Sequence, residues 1–335
     1  MVCLHSASWR EHLYRALLMK TSIWSTVQLK LRRVNANNID VRREKREEQA
    51  RSRAGSAQPL QVKTMLPQTC RIPRIWWNFT KTARSIAQSD VIVVSIGKSG
   101  RTWLRVFLYS YFSELDNRSF TMNRGDFGDK IPKVVLTHDL WEVATARKLK
   151  HRLLGRYLIP RRERREKRIL LLARDPRDVI VSLYFQMTKR SYRYRGTLSE
   201  LIRHPKSGIE MIVGIMNRWM SEWAERAAFK LVRYEDCQRD TAKVFREVLA
   251  FVGFQEIDES ILGRSIKFSS FDNMKRMEAA GEFRTQILTP GNIDDPESFK
   301  VRRGLVGGYK DYLSPQDLLY LDEVIAHLDK RYGYN

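Results

Sequence analysis

At Asp90 the chain changes its hydrophobic rhythm, passing into Val91-Ile92-Val93-Val94-Ser95-Ile96. A β-branched apolar run this short reads as a strand buried on both faces of a parallel sheet. Gly97-Lys98-Ser99-Gly100 ends it, and from Trp103 to Phe112 the apolar Leu104, Phe107, Leu108 and Tyr111 recur at i, i+3, i+4 and i+7. That spacing predicts a helix with one buried face. The same grammar returns at Lys133 to Thr137, Arg168 to Ala173 and Phe229 to Tyr234, each an apolar strand-length run. Helical patterns fill the gaps. Asp175 is a good N-cap with Pro176 at the first helical position, and Val179, Leu183 and Met187 keep an i+4 spacing. Ile209, Ile212, Val213, Met216, Met220 and Trp223 mark a longer helix, and Val244, Phe245, Val248, Leu249 and Val252 another. Strands separated by helices imply right-handed crossovers, hence an α/β fold with a mostly parallel central sheet flanked by helices. Ligands of such sheets bind beyond the carboxyl ends of the strands. Leu288 to Ser298, with two Pro and one Gly, reads as a loop-like insertion.

Residues 1–85 lack this rhythm after about residue 30 and read as a basic, poorly ordered extension, leaving 86–335 as the globular domain. Of the 335 residues 43% are hydrophobic and 30% charged, which excludes collagen-like, disulfide-framework and wholly disordered classes. The net charge of +23 favours an anionic partner. It is concentrated: residues 1–85 hold 17 Lys and Arg against 5 Asp and Glu, and residues 147–168 hold 11 against 2. The rest is close to neutral, so two segments carry the excess. Cys3, Cys70 and Cys237 have neither disulfide nor metal-ligand spacing, and a reducing, cytoplasmic setting is expected. An organelle address within residues 1–38, where Glu11 is the one acid, stays open as an alternative. No window approaches the roughly 18 apolar residues of a membrane span; Ala16-Leu17-Leu18-Met19 is flanked by Arg15 and Lys20.

Candidate chemistry gathers where strands end. Gly97 to Trp103 joins a buried strand to a helix N-terminus, where free N–H groups and the helix dipole attract anions and Lys98 adds charge. It is not a Walker A loop, because its Lys precedes the second Gly and no Gly-Lys-Ser/Thr stands at the helix start. Arg174 falls at a strand end with Ser182 two turns into the next helix, and Arg302-Arg303-Gly304-Leu305-Val306-Gly307 joins two cations to glycines. Taken singly, each could be an ordinary turn or a flexible loop.

Together these elements resemble the cytosolic-type sulfotransferase family over about residues 88–334. The family's Lys-Ser-Gly-x-Thr-Trp loop is matched by Lys98 to Trp103, its Arg-(Asn/Asp)-Pro-(Lys/Arg)-Asp-x3-Ser element by Arg174 to Ser182, and its Arg-(Lys/Arg)-Gly-x-x-Gly element by Arg302 to Gly307. Tyr234-Glu235-Asp236 and Ser269 to Met274 match two further segments in order. The resemblance implies a P-loop-NTPase-like fold and an enzyme that takes a sulfuryl group from 3′-phosphoadenosine 5′-phosphosulfate (PAPS), without a metal. It further implies that Lys98, Ser99, Gly100, Arg101 and Thr102 hold the 5′-phosphosulfate, and that Trp103 and Phe271 enclose the adenine, with Tyr234 and Ser269 near its polar edge. Arg174, Ser182, Arg302, Arg303 and the backbone of Gly304 would hold the 3′-phosphate.

Sulfuryl transfer needs a base for the acceptor hydroxyl, a cation for the leaving oxygen and donors for the transferring oxygens. His138, in Leu136-Thr137-His138-Asp139 at a strand end, matches the family's Thr-His base, and Lys98 is the leaving-group partner. Many family members carry a Lys two residues before the base, where this chain has Leu136; Arg101, in place of the family's more usual Thr, is the substitute that the sequence offers. The rival readings are a P-loop-type kinase and a non-enzymatic binder of nucleic acid or a membrane surface. No specific nucleic-acid partner is expected, since no RNA-binding signature accompanies the near-neutral core. The expected partner is a hydroxyl-bearing acceptor, anionic if the basic 147–168 segment borders its entrance and neutral or anionic if that segment is a solvated helix.

Overall fold

The computed structural model describes residues 81–122, 127–128, 130–141, 158–283 and 285–334. The described residues all belong to one compact unit spanning Thr64–Asn335. The expectations for residues 1–80 and 142–157 fall outside them. Strands β1 (Val91–Val94), β2 (Val134–Thr137), β3 (Arg168–Ala173) and β4 (Phe229–Arg233) form one sheet in the order β2-β1-β3-β4. Every neighbouring pair is parallel, with Val91 beside Val134 and Arg168, and Ile169 beside Phe229. The chain builds outward from β1 on one side and then crosses back to build on the other. The crevice where this order reverses lies between the ends of β1 and β3, which places a ligand site there.

The principal helices are α1 (Arg101–Leu115), α2 (Arg161–Glu166), α3 (Pro176–Phe185), α4 (Ile209–Trp223), α5 (Thr241–Val252), α6 (Glu259–Phe268), α7 (Phe271–Ala279) and α8 (Pro315–Ile325). Alternation along the strands divides the core in two. Ile92, Val94, Ile169, Leu171 and Ala173 face α3, α4 and α8. Val91, Val93, Leu170 and Leu172 face α1, α5 and α6. Burial on both faces is why the strands read as unbroken apolar runs. All four expected strands are present, β1 two residues shorter than its apolar run, because after Val94 the chain leaves the ladder to enter the loop.

Two departures matter for the site. Helix α1 begins at Arg101, two residues before the apolar pattern does, since Gly100 adopts φ 89° as N-cap. Helix α3 ends at Phe185 and opens into a π-helical turn, Gln186–Arg190. The i+4 spacing that suggested continuation to Met187 persists through it, but the wider turn aligns the chain differently.

A buried polar anchor fixes the end of β2. Asp139, fully buried, accepts from Ile159 N (2.8 Å) and from the indole of Trp219 on α4 (3.0 Å), and it pairs with Arg164 of α2 (3.3 Å). Removing Arg164 would strand a buried carboxylate at a cost of about 3–5 kcal/mol. Arg164 also pairs with Glu222, so it is spent on structure.

Candidate active site

A cavity of about 470 Å³ opens at the carboxyl ends of β1, β2 and β3, within the range of small-molecule sites. It brings together His138, Lys98, Gly100, Arg101, Thr102, Trp103, Arg174, Ser182, Tyr234, Ser269, Phe271, Arg302, Arg303 and Gly304. Ser99 is the exception among the expected residues: its side chain is buried and does not line the cavity.

The loop after β1 is held in an unusual shape. Lys98 and Gly100 both have positive φ (78° and 89°), and no side chain caps the start of α1. Free helix N–H groups and the dipole are therefore available to an anion. A Cβ on Gly100 would stand 2.6 Å from the Tyr234 ring, so only glycine lets the loop lie this close. Gly304 is constrained likewise, by Phe271 at 2.6 Å.

At one end of the cavity the cations already have partners. Arg174 donates to the carbonyls of Lys98 (3.4 Å) and Leu305 (2.8 Å), stacks on Tyr234 (4.4 Å) and pairs with Asp178 (3.5 Å), yet its buried Nε has no partner among the described residues. Asp178 in turn accepts from Gly307 N and Tyr309 N, fixing the glycine loop against α3. Arg302 pairs with Glu297 (2.6 Å) and Arg303 with Asp311 (2.7 Å). The hydroxyl of Tyr234 donates to Gly304 O and that of Ser269 to Ser265 O, so Ser269 reaches the cavity wall with its hydroxyl already occupied.

At the other end stand His138 and a crowd of positive charge. His138 Nδ1 lies 2.7 Å from the Ser95 carbonyl, which can only accept; the proton is on Nδ1 and the lone pair on Nε2. Burial, then Arg101, Lys300 and Arg105, push its pKa well below 6.5. Lys98, whose ammonium donates to Gln186 Oε1 (3.3 Å), is likewise pushed well below 10.5 by burial and by Lys300, Arg190, Arg174 and Arg302. Arg190 bridges Gln186 Oε1 and the carbonyls of Ile287 and Thr289. Leu136 packs into the α1 side of the core and does not line the cavity.

Sequence reasoning missed Lys300, Gln186, Arg190 and Arg105. Gln186 and Arg190 follow the Arg174–Ser182 element one turn apart, and Arg105 shares a helix face with Arg101, so the spacing could have pointed to them. The described residues of the basic segment are taken up by partners near them. Arg162 pairs with Glu166, Lys167 with Glu163 and the Ala87 carbonyl, and Arg168, at the amino end of β3 and so away from the cavity, donates to the Phe251 and Val252 carbonyls of α5. Of residues 158–160 and 162–168, none lines the cavity.

A parallel sheet whose crevice carries an uncapped helix N-terminus, flanking guanidinium groups and a neutral histidine defines an α/β protein with a site built for an anion. The sulfotransferase domain matches over residues 88–333, and the chain belongs to the sulfotransferase family. It is 24% identical over 256 residues to 3-beta-hydroxysteroid sulfotransferase of Cavia porcellus, covering 74% of this chain and 86% of that one. It is 24% identical to Sulfotransferase 1C2 of Homo sapiens (70% and 81% covered) and 21% identical to Cytosolic sulfotransferase 10 of Arabidopsis thaliana (73% and 80%). Among solved structures, mouse sulfotransferase SULT7A1 complexed with PAP, the desulfated nucleotide, is 17% identical with a TM-score of 0.49 over 73% of this chain and 86% of that one. The cavity fits the family's co-substrate, PAPS: it offers the uncapped helix start, the unpartnered Arg174 Nε and the rings of Trp103 and Phe271. Among the described residues no helix is long and apolar enough to cross a membrane.

Proposed function

We propose that the protein transfers the sulfuryl group of PAPS to a hydroxyl of an anion-bearing acceptor, with His138 as general base and Lys98 as the cation beside the leaving oxygen. PAPS supplies an activated sulfuryl group on a phosphate leaving group. Lys98 through Trp103 present backbone N–H groups and charge to the phosphosulfate, Trp103 and Phe271 flank the adenine, and Arg174, Ser182, Arg302, Arg303 and Gly304 face the 3′-phosphate. His138 takes the acceptor proton at Nε2. The chain's net charge of +23 is what favours an anionic acceptor; Arg101, although it acts on His138, is committed to the nucleotide's phosphosulfate.

The observation that carries this reading is the His138 tautomer in its cationic surroundings. The Ser95 carbonyl orients the ring, and burial with the neighbouring cations keeps it unprotonated at neutral pH. A base must be neutral to act, so kcat/KM should hold steady down to the ordinary imidazole value of 6.5 and fall only below it. His138→Ala should fold, bind PAP as the parent does and transfer sulfate at least ~100-fold more slowly, the usual scale for a lost general base. Near-normal turnover in that variant would sink the assignment. Screening hydroxyl acceptors in matched neutral and anionic forms tests the acceptor class.

A further inference from the structure

Lys300 was in none of the sequence expectations, yet it lines the cavity with Lys98 and His138. Its backbone is clamped: Glu278, 1% exposed, accepts from Lys300 N (2.7 Å) through one carboxylate oxygen and from Val301 N (2.9 Å) through the other. A carboxylate buried to hold two consecutive amides fixes where the Lys300 side chain starts. Its ammonium makes no hydrogen bond among the described residues. The charged groups acting on Lys98 are Lys300, Arg190, Arg174 and Arg302, and the cations acting on His138 are Arg101, Lys300 and Arg105. Lys300 is common to both sets and lines the same cavity as the leaving-group cation and the base.

We propose that Lys300 holds the sulfonate oxygens of the group in transit. The inference rests on the sulfuryl-transfer reading above. In the transfer, the acceptor oxygen forms a bond to sulfur while the bond from sulfur to the bridging phosphate oxygen breaks. The electron pair of the broken bond leaves with that phosphate oxygen beside Lys98, and the acceptor proton goes to His138. A cation beside the sulfonate is placed along this whole path. Burial and the fields of Arg190 and Arg101 lower Lys300 to about 7, against the opposing pull of Glu278, so an arriving anion restores its charge.

The test compares two nucleotides that differ by the sulfonate. PAP and PAPS are titrated calorimetrically, without acceptor, into the full-length parent and into Lys300→Met, Lys300→Gln and Lys300→Arg. In the Met and Gln variants PAP affinity should stay within about twofold of the parent while PAPS affinity drops about tenfold, the effect of one charged hydrogen bond. The Arg variant should recover most of the difference. PAP binding also certifies that each variant is folded, and the Gln and Arg forms carry the test if Met does not. Equal weakening of both nucleotides, or a PAPS to PAP ratio unchanged from the parent, would overturn the role of Lys300. A parent that binds neither nucleotide would instead overturn the sulfuryl-transfer reading.

Discussion

At the end of the cavity lined by Arg174, Arg302 and Arg303, each guanidinium pairs with a carboxylate: Asp178, Glu297 and Asp311. Around His138 the balance is different. Lys98 and Lys300 are held below their ordinary basicity, and Glu278, the acid acting on Lys300, gives both its oxygens to backbone amides. The first arrangement stores geometry: the acids aim the cations, and an arriving anion exchanges one partner for another. The second stores electrostatic strain, which an anion relieves. Strain of this sort suits the place where charge develops during reaction, since preorganised charge in a poorly solvated site acts on the transition state without reorganising. Paired cations suit recognition of a group that does not react.

The contrast predicts where substitutions act. Lys98→Ala should produce the largest effect, a loss of about 10²–10³ in single-turnover transfer, the scale for removing one oxyanion-type donor. PAP affinity should suffer far less, and a loss confined to binding would erase the distinction between the two ends. Next in size, Arg174→Ala should weaken PAP binding about thirtyfold, equivalent to roughly 2 kcal/mol for a charged hydrogen-bonded contact. Adenosine 5′-phosphate, which lacks the 3′-phosphate, should bind parent and variant nearly alike. If both nucleotides weaken together, Arg174 acts by bracing the carbonyls of Lys98 and Leu305 and not by reading the phosphate.

What was legible in the sequence follows from how local each signal is. The buried strands announce themselves because both faces are apolar, and α4 begins and ends where its Ile209–Trp223 pattern does. The loop at Lys98 to Trp103 is legible through its company: alone it could be an ordinary turn, but further matching elements follow it in order along the chain. The π-turn at Gln186 is not, since the i+4 apolar spacing runs through it unchanged. Lys300 carries no local pattern; its meaning comes from Glu278, whose carboxylate meets its amide only in the fold. The partners of the described basic residues are hidden for the same reason. Charge counted along the chain does not show that Arg164 turns toward Asp139 and Glu222, both distant in sequence. Ser269 was placed in the right wall, but its hydroxyl serves the end of α6.

The smallest expected effect tests the comparison most directly. Glu297 is an acid at the Arg302 end that can be neutralised without touching a backbone clamp: it pairs with Arg302 (2.6 Å) and accepts from the Tyr312 hydroxyl (3.4 Å), which itself accepts from Arg302 (2.7 Å). Its side chain is 33% exposed, so the pair is worth at most the ~1 kcal/mol of a partly solvated ion pair. If the carboxylate competes with the 3′-phosphate for Arg302, Glu297→Gln should tighten PAP binding about threefold, a gain of roughly 0.6 kcal/mol within that ceiling. Adenosine 5′-phosphate affinity should not change, and the gain should shrink in high salt, where the parent's ion pair is already screened. A weaker PAP complex would mean that Glu297 aims the guanidinium more than it competes for it. Partnered cations would then bind through preorganisation alone, and the division between stored geometry and stored strain would rest on the Lys98 and Lys300 end.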